Sequence, residues 1–161
     1  MDARPTDFKR LFTVDEANAM LPLVRAICTD LARLSRDVID RRERLAVLLA
    51  GRDKSRSDVY SEELTQIESE LQADSRTLQE YLEELKDLGV EPKNGLEGLV
   101  DFPAVMDDRV VYLCWKLNEP EVQYWHELDT GYSGRQPLMV DTAGGDDGDR
   151  AGGAPLGGSL N

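Results

Sequence analysis

GLVDFPAVMDDRVVYLCWKLNEPEVQYWHELDTGYSGR, residues 98–135, is the stretch whose reading decides the fold. It holds both tryptophans, the single histidine and three of the five tyrosines. Its apolar residues alternate, whereas everything before it repeats at helical spacing, so the chain changes from helix to strand here. Leu99–Met106 reads as a first strand, although Pro103 implies an edge position or a bulge there. Asp107-Asp108 reads as a tight turn, and Arg109–Leu117 as the strongest strand, rich in β-branched and aromatic residues. Asn118-Glu119-Pro120 turns the chain again into a third strand over 121–127, which completes a three-stranded antiparallel meander.

A two-residue turn at Asp107-Asp108 would fix the register. Val100, Phe102, Ala104, Val111, Leu113, Trp115, Val122, Tyr124 and His126 then share the face that packs on the helices. Asp101, Val105, Val110, Tyr112, Cys114, Gln123, Trp125 and Glu127 take the opposite face, unless a bulge at Pro103 moves Asp101 across.

Upstream, residues 1–12 read as a flexible lead-in anchored by Phe8, Leu11 and Phe12. Thr13 and Glu16 stand at capping-box spacing and open a helix over about 14–50. Its seam runs Ala17, Leu21, Val24, Cys28, Leu31, Ser35, Val38, Arg42, Leu45, Leu49, in steps of four and three, the repeat of a coiled coil. Pro22 predicts a short opening turn to about Met20 and then a kink or a restart, and Gly51 a left-handed end. After a polar loop, a second helix over about 62–88 carries Leu64, Ile67, Leu71, Leu78, Leu82 and Leu85 and closes at Gly89. Ser57, Asp58 and Ser61 are its candidate caps, and Lys93–Glu97 reads as a turn. The fold class is therefore α+β: a long antiparallel helical hairpin, then a small three-stranded antiparallel sheet, in a single domain over 13–140. Beyond it, the glycine- and aspartate-rich residues 141–161 read as a disordered tail.

Charge limits the partners. The chain of 161 residues has a formal net charge of −13, which repels nucleic acid and anionic membrane surfaces. Apolar runs such as Leu45–Ala50 fall far short of the roughly 20 residues of a membrane span. Cys28 and Cys114 read as buried, reduced thiols of a cytoplasmic protein. The second helix is acidic and the distal half of the first is basic, which suits antiparallel neighbours. A short sheet covers less than half of so long a hairpin, so the uncovered seams predict a homodimer built on a four-helix bundle.

Two constellations are candidates for chemistry. His126 stands beside Glu127 and Asp129, but neighbours in a strand face opposite ways, so only Asp129 can share a ligand with it. With one histidine and no paired cysteines, no metal site or cofactor is assigned. The structural alternative is that His126 orders the strand exit. Gly131-Tyr132-Ser133-Gly134-Arg135 can turn backbone amides and a guanidinium toward a carboxylate or phosphate. Its structural alternative is a tight loop whose Arg135 pairs with Asp101, Glu127 or Asp129. The candidate ligand-binding set is Asp101, His126, Asp129, Gly131, Gly134 and Arg135; partner expectations are a second copy, then a protein or small anionic ligand.

FTVDEANAMLPLV at 12–24, GLVDFPA at 98–104, VYLCWKL at 111–117 and YWHELDTGYSGRQP at 124–137 resemble the bacterial domain of unknown function 2203 family. The resemblance covers about residues 10–138 and implies a cytosolic protein with helices followed by a small sheet. It implies no activity, substrate or catalytic residue. The leading expectation is thus a dimeric binding protein using the surface around 101–135. A small enzyme, or a metal or anion site built on His126, Asp129 and Arg135, is the alternative.

Overall fold

A computed structural model describes residues 3–51 and 58–138. The loop residues 52–57, with the candidate cap Ser57, and the tail 141–161 lie outside the described residues. Two helices, α1 (Val14–Ala50) and α2 (Asp58–Asp87), precede a five-stranded antiparallel sheet. Its strands β1 (Glu91–Asn94), β2 (Leu99–Met106), β3 (Arg109–Trp115), β4 (Tyr124–His126) and β5 (Gln136–Pro137) lie in chain order.

The capping box at the start of α1 is formed: Glu16 N donates to Thr13 Oγ1 and Thr13 N to Glu16 Oε1, each at 3.0 Å. The expected restart at Pro22 does not occur; α1 is one helix with Pro22 inside it. The proline removes the amide that would reach the Asn18 carbonyl. Packing overrides that loss, because Leu21 and Val24 on either side are buried in the core. Gly51 does cap α1, but at φ −91° rather than in the left-handed region. α2 begins at Asp58, earlier than expected, so Ser61 lies within it. Its end is a Schellman motif: Val90 N reaches Leu85 O and Gly89 N reaches Lys86 O, each at 2.9 Å, with Gly89 at φ +87°. Val90 and Leu85, the apolar pair of that motif, are fully buried.

The sheet has two more strands than the meander read from the sequence. β1 pairs with β2 (Glu91↔Asp101, Pro92↔Val100) and β5 with β4 (Tyr124↔Pro137, Trp125↔Gln136). Both were hidden because four and two residues, each with a proline, show no alternation. The β2–β3 hairpin turns at Asp107 and Asp108, with φ of 53° and 66°, the two left-handed residues of a type I′ turn. Pro103 stays in register opposite Tyr112, without a bulge. Its carbonyl faces away from β3, accepting from Phe12 N at 2.7 Å. A strand residue points its N–H and C=O to the same side, so the missing amide costs no ladder bond to β3.

The first strand pair follows the expected faces, but the third does not. The pairs are Tyr112↔His126, Leu113↔Trp125 and Cys114↔Tyr124. His126 and Tyr124 therefore lie with Asp101 and Cys114, and Trp125 packs toward the helices. Residues 121–123 are not strand, and the 116–123 connection shifts register by one, which flips every following side chain. Val122 still enters the core from that irregular segment, its amide held by Asn18 Oδ1 at 2.7 Å.

The core joins Phe12, residues Ala17 to Leu31 of α1, the last turns of α2 and the inner face of β2–β3, with Trp115 and Phe102 fully buried. Beyond Leu31 and before Leu78 the two helices continue as an arm of about 30 Å at 1.5 Å per residue. There Arg41 pairs with Asp74 and Glu70, and Arg44 with Glu63, the basic-against-acidic contact that the sequence predicts. No helix is long and apolar enough to cross a membrane among the described residues.

Candidate functional site

The outer face of the sheet carries an unusual set of side chains. One row across the strands is Glu91, Asp101, Cys114, Tyr124 and Pro137, and the next is Pro103, Tyr112 and His126. A row of polar groups on a sheet face normally meets water. Here Asp101 is 2 % exposed and His126 and Cys114 are each 1 % exposed.

Burial forces these groups to satisfy one another. His126 Nδ1 lies 2.7 Å from the Glu127 carbonyl, which can only accept, so Nδ1 carries a hydrogen. His126 Nε2 lies 3.0 and 3.1 Å from the two Asp101 oxygens. That contact needs a second hydrogen, held between the ring and the carboxyl. The pair thus forms a neutral unit, either an imidazolium with a carboxylate or an imidazole with a carboxylic acid. Burial raises Asp101 above the ordinary carboxylate range, opposed by the charge and hydrogen bond of His126. Cys114 is pushed up to about 12 by burial and then by the charge of Asp101. The Tyr112 ring stands edge-on to His126 at 5.6 Å, and its hydroxyl donates to Glu91 Oε1 at 2.8 Å. One donor atom from each of Asp101, Cys114 and His126 lies within 4.8 Å of the others.

The remaining candidates do not converge on this cluster. Arg135 places Nη2 at 2.8 and 2.7 Å from the two oxygens of Glu119, a partner outside the three carboxylates considered for it. Its guanidinium lies 3.9 Å from the Tyr124 ring centroid and 4.6 Å from that of Tyr132. Glu119 organises the connection between β3 and β4: Oε1 accepts from Lys116 N, and its carbonyl accepts from Trp115 Nε1, each at 3.0 Å. Nothing in the spacing singled Glu119 out, because its work is done across a turn. Gly131, at φ +68°, opens a 3₁₀ turn over Tyr132–Gly134. The Gly134 and Arg135 amides donate back to Gly131 O and Tyr132 O at 3.0 and 3.1 Å, so they are not free to cradle an anion. Asp129 lines a separate open cleft of about 340 Å³ with Asp108, Arg109 and Glu127. There the pKa of the Glu127 carboxyl is lowered by its hydrogen bond from Arg109.

The family model described as an uncharacterized conserved protein, DUF2203, matches residues 10–138. The chain belongs to this family. In DUF2203 terms the matched span begins just before the α1 cap and ends just after β5, so it includes the helices, the sheet and the Asp101–Cys114–His126 cluster. No curated protein and no solved structure matches the chain.

Proposed function

We propose that this protein works by binding rather than catalysis, as a homodimer joined through the helical arm, with the surface around 101–135 presented to a protein partner. The observation that carries the reading is the arm. Beyond the sheet, α1 and α2 bury little more than Ala32, Val38, Leu64 and Ile67 between them. Leu34, Leu45, Leu48 and Leu71 are half-buried, and Ile39, Val47 and Leu49 are exposed, Val47 by 71 %. Covering these side chains in both chains would release on the order of 10 kcal/mol, comparable to the cost of association.

Two features of the head support binding over chemistry. The His126 ring is enclosed, which suits a structural polar pair better than an acid or base that must reach a substrate. Tyr124 and Tyr132 stack on Arg135, and Lys116 lies 5.1 Å from the Tyr132 ring centroid. Tyrosine and arginine are the residues that anchor protein interfaces. Arg135 is already engaged by Glu119, which weakens the small-anion alternative.

Thermal unfolding tests the dimer. The midpoint should rise with chain concentration, and the Ile39→Glu/Val47→Glu variant should lose that dependence while keeping its helix content. A wild-type midpoint independent of concentration over two decades would contradict the reading.

A further inference from the structure

We propose that Asp101, Cys114 and His126 form a binding site for a thiophilic divalent cation, zinc foremost. The three donors come from three adjacent strands on one face, so the sheet itself fixes their spacing. One oxygen, one sulfur and one ring nitrogen lie within 4.8 Å of one another. The His126 ring is already oriented: Nδ1–H donates to the Glu127 carbonyl at 2.7 Å and leaves Nε2 turned to the other two donors. A backbone acceptor on the far nitrogen is how proteins orient a metal-binding histidine.

The donor set selects the cation. Magnesium and calcium take oxygen ligands, whereas sulfur, imidazole and carboxylate together suit zinc at tetrahedral distances. Charge also balances. Without metal, the thiol is neutral and the Asp101–His126 pair is neutral. On binding, the Cys114 S–H proton and the proton held between Nε2 and the carboxyl leave to solvent. Bonds form from Sγ, Nε2 and a carboxylate oxygen to the ion, and nothing is oxidised or reduced. Thiolate and carboxylate then cancel the two positive charges, so the buried site is uncharged before and after. With three protein ligands, one coordination position is left over, and the ion ties β2, β3 and β4 together, which makes its binding energy also folding energy.

The test uses the full chain, stripped with chelator, dialysed and titrated with Co²⁺. One equivalent per chain should bind, with a thiolate-to-cobalt charge-transfer band that Zn²⁺ abolishes. The band should persist in Cys28→Ala, where Cys114 is the one remaining thiol, and in Asp129→Ala, and vanish in Cys114→Ala. If Cys114→Ala does not fold, the band in Cys28→Ala still assigns the ligand. A folded wild-type protein that takes up no Co²⁺, or takes it up without the thiolate band, overturns the proposal. A band lost in Cys28→Ala overturns it equally. Neither result bears on the dimer.

Discussion

Asp101 and His126 sit in an enclosed position where each is the other's solvation. Removing Asp101 leaves the His126 Nε2 buried without its hydrogen-bond partner, which costs about 1–3 kcal/mol. Asp101→Ala should therefore lower stability by about that amount in chemical denaturation, whereas Asp129→Ala should change it by less than about 0.5 kcal/mol. Equal, small effects would mean that the pair is not what holds the outer face. Both residues stand out in the sequence by type, His126 as the sole imidazole and Asp101 as an acid inside an apolar strand. The sequence puts both in one candidate set, but not on one face of an unbulged sheet, because the face of His126 depends on whether the link from Trp115 to Tyr124 has an odd or even number of residues outside the ladder. A one-residue error there placed His126 against the helices and hid Cys114 from it. Glu119 was invisible for a related reason: its contacts with Lys116, Trp115 and Arg135 are made by a turn that no periodicity reports.

The elements themselves were easier to read, wherever their pattern ran for more than one turn or four alternations. The capping box at Thr13, the glycine stop at Gly89 and the long seams were plain, as were β2 and β3. β1 and β5 were not, since they are strands by pairing alone. Pro22 shows a propensity overruled by burial: the flanking Leu21 and Val24 anchor the helix through it. The β2–β3 turn carries a residual cost. Asp107 and Asp108 both adopt positive φ, which aspartate tolerates less well than asparagine-glycine does. Asp107→Asn with Asp108→Gly should stabilise the protein by about 1 kcal/mol, raising the thermal midpoint by a few degrees. A fall in midpoint would show that one of the aspartates does something beyond turning the chain.

At the scale of the molecule, a well-packed head sits on the base of a thinly packed arm. The head draws on helix, sheet and lead-in together, while the arm has two helices and four well-buried side chains to hold about 30 Å of hairpin. Cross-helix ion pairs at Arg41 and Arg44 fix its register but are exposed or half-exposed, and such pairs contribute about 0–1 kcal/mol each. The homodimer proposed above would cover the apolar stripe that this acidic helix pair leaves exposed. Light scattering on the gel-filtration peak measures this directly. The dimer predicts a particle of twice the 18.0 kDa chain mass, falling to a single chain mass for Ile39→Glu/Val47→Glu. A wild-type particle of 18.0 kDa at micromolar concentration would contradict it.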